Sequence, residues 1–474
     1  MKKCKVIFIS CLFFLLIGIT PTLADNVPEG ADWKYALKPY HVAKKDLAPW
    51  LNFYDGIAVV KVDGYYGAIN QEGKIVIPLK YDSLSSRPAE GLLNYKLQNE
   101  RGYLDLKGNV VHSGRYDLVK NFNEGLAVVK KDGLYGMIDK SGNWVLQPEY
   151  TSLNTYSEGL VFAEKDNLRG FIDKTGKLVI PFENNIAGTG FTNGISVFSK
   201  KTNDNFTYGV MDKTGKVLIP PIYIHINSGP FIFGYIWTED EYGKWDAWDA
   251  NGNKKTPVQL DFMPGYSENM FSIQINDKIG FMDDSFKIVI KPQYEKRHSL
   301  NFSDGLAVVR KDEQFGVIDK QGKVIVPFGI HSVINSYQEG VAYASRGGRW
   351  GFIDKTGKEV KNLPFKYEDA DSFSEGLAAV KINGKWGAVN KSGKLIIPAK
   401  YDMIYQFKNG VAVITYKGKD GMINKNGKVI VEPEFDQILD HYMASMDTGN
   451  IFSVYKDGKW GFIILNHDAA DVKP

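Results

Sequence analysis

A segment of about 35 residues recurs along this chain, and that recurrence limits what it can fold into. Gly376–Gly410 reads GLAAVKINGKWGAVNKSGKLIIPAKYDMIYQFKNG, and its relatives follow one another from about Asp55 to Asn466. A segment this short cannot bury enough apolar surface to fold alone. It must stack on its neighbours, which is the physical logic of a repeat array.

The unit reads as paired strands. Ala378-Ala379-Val380-Lys381 is an apolar-rich run, and Asn383-Gly384 is a tight-turn signal because both residues tolerate φ > 0. Trp386-Gly387-Ala388-Val389 is the return strand. Asn390-Lys391-Ser392-Gly393 forms a second turn, with a short polar side chain first and a left-handed Gly fourth. Lys394-Leu395-Ile396-Ile397 is a third strand, which Pro398 is expected to end by removing a ladder donor. Tyr401-Asp402-Met403-Ile404 is expected to add a short fourth strand, and Phe407-Lys408-Asn409-Gly410 passes the chain to the next copy.

Twelve copies follow from the residue after an edge aromatic: Gly67, Gly102, Gly136, Gly170, Gly209, Asp246, Gly280, Gly316, Gly351, Gly387, Gly421 and Gly461. A Gly at one phase inside a strand points to close backbone approach, a bulge, or an aromatic over its bare Cα. The second turn recurs at Asp139–Gly142, Asp173–Gly176, Asp212–Gly215, Asp319–Gly322 and Asp354–Gly357. A Glu-Gly or Asp-Gly pair opens many units, as at Glu124-Gly125, Glu158-Gly159, Asp304-Gly305, Glu339-Gly340 and Glu375-Gly376.

Lys385-Trp386-Gly387, Lys459-Trp460-Gly461 and Trp350-Gly351-Phe352-Ile353-Asp354-Lys355-Thr356-Gly357 resemble the bacterial WG (KWG) repeat family. Three copies keep Trp-Gly, others carry Tyr66, Tyr135, Tyr208 or Phe315, and Arg101, Arg169, Ile279 and Asp420 depart further. The resemblance implies a β-repeat of mostly unassigned molecular function and supplies no catalytic residues.

The expected fold is all-β: a tandem array of about twelve antiparallel three- to four-stranded units. The array is either an open β-solenoid or superhelix, or propeller-like. Twelve units exceed the usual four to eight propeller blades, which favours an open array or two rings. Residues 25–55 read as an N-terminal cap or half repeat, 56–466 as the array with a possible seam near 233–268, and 467–474 as a frayed tail. The two half units at the ends are complementary, so they either complete one module or cap two ends.

Residues 1–24 read as a secretory signal peptide: Lys2, Lys3 and Lys5, then an apolar run from Val6 to Thr20, then Thr22-Leu23-Ala24 before Asp25. The alternative is an uncleaved membrane anchor, for which the run is short. Both cysteines, Cys4 and Cys11, fall in this leader, so the remaining chain offers no thiol chemistry or thiolate metal site. Loss of three lysines from 58 basic residues leaves 55 against 55 acidic ones. That balance gives no case for nucleic acid as a partner. Membrane association is expected only through the leader.

Catalytic signals are weak. A carboxylate pair for acid–base work must meet at one place, whereas Asp139, Asp173, Asp212, Asp319 and Asp354 recur one per unit and read as turn formers. The seven histidines share no phase and no metal-ligand spacing, so no metal and no cofactor is expected. Ser345-Arg346-Gly347-Gly348-Arg349 lacks the helix a phosphate loop needs. The sixth unit is the outlier: Asp246 replaces its Gly, and Trp237, Tyr242, Trp245 and Trp248 gather near acidic groups. Such rings stack on sugars or anchor a protein, or else are the buried aromatics of a degenerate repeat. The insertion Lys201–Asn205 lengthens the hairpin of the preceding unit.

Export, repetition and missing chemistry point to a secreted, non-enzymatic binding or scaffold protein at the bacterial cell surface, its partner a cell-wall glycan or an envelope protein. The alternatives are a glycan-acting enzyme on a β-repeat body and a passive spacer.

Overall fold

The computed structural model describes residues 53–465 apart from 63, 71–73, 167, 183–185, 203–204, 228–231, 297–300, 440–450 and 458. The leader, most of the 25–55 segment and the 467–474 tail lie outside the described residues. Among the described residues there is no helix, and the strands form twelve antiparallel sheets of three or four strands. Strands in each sheet are ordered as in the chain, without crossovers. The all-β array is therefore the observed architecture.

One sheet shows the rule. Leu377–Ile382 pairs with Lys385–Asn390 from Leu377↔Asn390 to Ile382↔Lys385, leaving a two-residue turn. Asn383 and Gly384 fill it at φ 50 and φ 76, the geometry that matches strand twist in a tight hairpin. Asn390 then accepts from the amides of Ser392 and Lys394 at 3.1 and 3.0 Å, while the Gly393 amide donates to the Asn390 carbonyl.

Two readings of the unit need correction. Pro398 does not end the third strand, which runs Leu395–Tyr401 with Pro398 inside it. Ala388 pairs with Ile397 but Trp386 pairs with Tyr401, so the outer strand spends four steps where the middle strand spends two. Pro398 sits in this bulge, where a missing N–H breaks no ladder bond. Gly387 lies opposite: a Cβ there would stand 2.5 Å from the Ile397 carbonyl oxygen. Gly67, Gly136, Gly209, Gly280 and Gly421 face the same outer-strand carbonyl at 2.5 to 2.7 Å. The recurring Gly is thus the space into which the bulge folds.

The second correction concerns Met403–Ile404. It begins the next sheet, pairing with Thr415 and Ile414, and does not complete its own. In the regular modules the outer strand hands the chain directly to the first strand of the following sheet, as Leu395–Tyr401 does to Met403–Ile404. The cores accordingly lie between sheets. Trp386, Ala388, Ile397 and Tyr401 of one sheet pack with Ile404, Phe407, Ile414 and Ile423 of the next.

The chain forms two compact units, Lys80–Asn301 in one and Met1–Leu79 with Phe302–Pro474 in the other. Each holds six of the sheets. The first sheet therefore belongs with the last five.

Candidate functional site

Recurring charged residues of the ordinary modules bond to neighbouring modules. The opening Glu-Gly pair is itself a two-residue hairpin turn: Ser374 bridges Leu377 while Glu375 and Gly376 take φ 51 and φ 82. Its carboxylate reaches the same turn one module on. The Gly125 amide donates to Glu90 at 3.1 Å, Gly194 to Glu158 at 2.9 Å, Gly340 to Asp304 at 2.7 Å, and Gly410 to Glu375 at 2.8 Å. Lysines of the second turn join in, with Lys140–Glu90 at 2.9 Å, Lys213–Glu158 at 3.1 Å and Lys391–Glu339 at 3.1 Å. The Lys140 bond is the main cause holding the Glu90 carboxyl below its ordinary range.

A second link uses the Lys of Lys-Trp-Gly. Lys385 pairs at 2.6 Å with Asp402, at the hand-over to the next sheet, and Asp402 also accepts from the Gly418 amide at 3.1 Å. Lys419 and Asp436 repeat it, with the Asp457 amide at 2.9 Å. Each partner Lys pulls the Asp402 and Asp436 carboxyls down. The aromatic before the Gly packs below: Trp386 is buried against Tyr401 and Ile404. The turn aspartates are occupied too. Asp139, Asp173, Asp212, Asp319 and Asp354 each accept from the amides two and four residues on. Gly142, Gly176, Gly215, Gly322 and Gly357 follow them in the left-handed region at φ 81 to 85. Gly316 faces the Phe328 ring, Gly351 the Phe365 backbone, and Gly461 pairs with Val454.

The sixth sheet, His225–Ile226, Ile236–Glu239 and Trp245–Trp248, breaks this pattern. Asp246 is only 3% exposed, so its carboxylate takes the room that Gly leaves elsewhere. The outer segment forms two isolated bridges, Trp248↔Lys254 and Trp245↔Leu260, as it does in the ninth sheet, where Gly351 is kept. Between them Thr256 replaces the apolar residue found at Ile397, and its hydroxyl donates to Asp246 at 2.6 Å. Lys254 approaches the same oxygen at 2.9 Å. Exposed Gln259 donates to Asp240 at 2.9 Å and to Asp246 at 3.4 Å. Burial, then the Asp246 charge, pushes the neighbouring Tyr223 phenol up. The Gly-to-Asp change is visible in the sequence; its partner Thr256 is found only by aligning the outer strands.

The four aromatics of this unit do not form one surface. Trp237 is 0% exposed, packed with Ala247, Leu260 and Phe271, and its indole N–H donates to the Ile232 carbonyl at 3.1 Å. It offers no ring face to a ligand. Trp248 is half-buried, bonded to the Thr238 hydroxyl at 2.9 Å and edge-on to Tyr223. Trp245 is half-buried against exposed His225, with ring centres 5.7 Å apart. Tyr242 stands out at 78% exposed, on the loop Asp240–Lys244 that Asp240 caps through the amides of Tyr242 and Lys244. The preceding hairpin, Ile195–Thr202 with Asn205–Asp212, is lengthened to eight residues a strand. Among the described residues, no group of three or more His, Cys, Asp or Glu is placed to hold a metal ion.

The profile of the WG containing repeat matches residues 66–99, 102–135, 135–168, 170–201, 208–245, 279–314, 315–350, 350–386, 386–419 and 421–460. The chain belongs to this family. The matches pause between 245 and 279, where Asp246 and its loop lie. No curated protein matches the chain. Among solved structures it is similar to the computationally designed Ika8 protein, at 14% identity and TM-score 0.29 over 64% of this chain and 98% of that one. It is also similar to the extracellular domain of the one component system BT4673 from B. thetaiotaomicron, at 11% identity and TM-score 0.25, covering 88% and 75%. A third similarity is to PorZ, a surface component of the type-IX secretion system of Porphyromonas gingivalis, at 9% identity and TM-score 0.24, covering 88% and 73%. Likenesses this loose carry no argument about what the chain does.

Proposed function

We propose that this chain is a secreted, non-enzymatic binding or scaffold protein of the bacterial cell envelope, with a cell-wall glycan or an envelope protein as its ligand. The observation that carries the reading is the contrast between modules. In the ordinary ones the polar and charged turn residues are consumed by links to the next sheet or by capping their own turn. In the sixth the charged links toward the fifth sheet are missing, with Thr207 and Ile224 at the Lys and Asp positions, while Lys244–Asp261 keeps the link toward the seventh, and Tyr242 and Gln259 stand exposed beside half-buried Trp245. The leader-like segment at residues 1–24 supports export. A row of similar modules adds a broad surface on which weak contacts sum through effective concentration.

Capture experiments test this. Purified protein is expected to retain on isolated cell walls or to pull down an envelope component, and Tyr242→Ala to weaken that retention. If the protein passes through cell-wall glycan and envelope extract alike, the reading is wrong.

A further inference from the structure

At most module boundaries the hand-over carries charge beside a buried or half-buried ring: Lys80-Tyr81-Asp82, Arg115-Tyr116-Asp117, Lys366-Tyr367-Glu368 and Lys400-Tyr401-Asp402. The boundary before the sixth sheet reads Ile222-Tyr223-Ile224. Tyr223 stays buried, while Ile222 is 61% and Ile224 45% exposed. Two charged positions have become two exposed isoleucines. Neither charged link described above can form there. Thr207 stands where Lys385 would, Ile224 where Asp402 would, and Asn193 and Phe233 where the turn carboxylates would. A lost link alone needs no isoleucine at the Asp402 position, where Ser332 and Thr151 stand elsewhere; an exposed isoleucine recurs at the Lys400 position, at Ile330, but the pair of them occurs here.

The isoleucines lie beside an acidic loop. The Ile224 amide donates to the Glu239 carbonyl at 2.9 Å, so Ile224 runs alongside the strand that leads into Glu239-Asp240-Glu241-Tyr242. Tyr242 is hydrogen-bonded to Glu241. Two lysines of the same module are engaged elsewhere, Lys244 with Asp261 at 2.6 Å and Lys254 with Asp246 at 2.9 Å. An apolar patch with an acidic rim complements a segment carrying aliphatic side chains flanked by Lys or Arg. Branched aliphatic side chains make poor sugar platforms, because sugar recognition relies on flat rings and hydrogen-bonding groups.

We propose that Ile222, Ile224 and Tyr242, rimmed by Glu239, Asp240 and Glu241, form a docking surface for a cationic, aliphatic-rich protein segment. The inference rests on the binding reading above and narrows its ligand to protein at this site. The rim steers the segment and sets register, and the isoleucines and Tyr242 supply the apolar contact.

The test uses the full chain and three labelled probes in fluorescence anisotropy: a synthetic Leu/Lys peptide, the same peptide with Glu for Lys, and an N-acetylglucosamine oligosaccharide. The Leu/Lys peptide is expected to bind, and to lose about tenfold in affinity in the double variant Ile222→Lys, Ile224→Asp. That variant restores the pattern of Lys400 and Asp402, leaves net charge unchanged, and is expected to fold. Glu239→Gln with Glu241→Gln is expected to weaken binding and flatten its salt dependence. Equal binding of both peptides, or equal binding by wild type and the Ile222/Ile224 variant, overturns the proposal. So does oligosaccharide binding that depends on these same residues. If the peptide arm fails while the protein still retains on cell walls, the inference falls and the broader binding reading stands.

Discussion

Two glycines of one module separate two kinds of constraint. Gly387 has no unusual backbone, yet a Cβ there meets the Ile397 carbonyl at 2.5 Å. Gly384 sits at φ 76 with nothing within 4 Å of the added carbon. The first substitution forces two strands apart and is predicted to cost about 3 kcal/mol. The second adds only backbone strain, about 1 kcal/mol. Denaturant unfolding of Gly387→Ala and Gly384→Ala should rank them in that order; equal losses would contradict the bulge reading. Asp246 and Thr256 form the sixth module's replacement for the same space. Asp246→Gly leaves a buried hydroxyl without its acceptor, and Thr256→Ile leaves a buried carboxylate short of a donor. A double-mutant cycle is predicted to give a coupling of about 2 kcal/mol, whereas additive losses would mean the two are independent. His331 occupies the position that Tyr367 and Tyr401 hold in neighbouring modules. It is 3% exposed, stacked on Phe365, and its Nδ1 has no hydrogen-bond partner among the described residues. Burial, then the Arg346 charge, holds its pKa below the ordinary 6.5, against an opposing pull from Glu359. The unfolded chain therefore takes up this proton first. Stability is predicted to begin falling as pH drops below about 6.5 and to stop responding to His331 once its folded pKa is passed. His331→Tyr should remove that part of a pH–stability profile, and an unchanged profile would refute the assignment.

At the scale of the element, the links between sheets are individually modest. Exposed ion pairs contribute about 0 to 1 kcal/mol, and a charge-assisted bond to a backbone amide about 1 to 2 kcal/mol. Their effect comes from repetition at successive boundaries. Glu339→Gln weakens the bonds from the Gly376 amide and Lys391 together. It is predicted to speed hydrogen exchange at Gly376 with little change at Gly410, which Glu375 holds. Uniform change along the array would contradict a local link. Glu90 and Asp402 have carboxyls held below their ordinary range, so this stabilisation is present at neutral pH and is lost as pH falls through those lowered values. Much of this level was legible in the sequence. Asn383-Gly384 specifies its hairpin, and Asp139–Gly142 its turn, because those conformations exclude most other residues. The Glu-Gly pair was legible as a period but not as a link, since the partner of Glu339 is an amide 37 residues away. Pro398 misled for a related reason. Its missing N–H signals a break in a regular strand, and a bulge is a place where that N–H is not required. In the sixth module, ring identity did not reveal exposure: Trp237 and Tyr242 lie five residues apart, one in the core and one at a loop tip.

At the scale of the molecule, the twelve sheets of the described residues fall into two units of six, and the first sheet joins the last five. Each core is built from two successive sheets, as Ile397 and Tyr401 with Ile414 and Ile423 illustrate. A single sheet therefore has half a core on each face. Its shared residues serve the stacking first, and the recognition we propose falls on the module where the pattern lapses. The direct test is the isolated sheet, a peptide of residues 369–401 followed by far-UV circular dichroism through a thermal scan. Here the prediction is an unfolded chain with no cooperative transition. A cooperative melt from a folded β spectrum would contradict it, because the module would then need no neighbour.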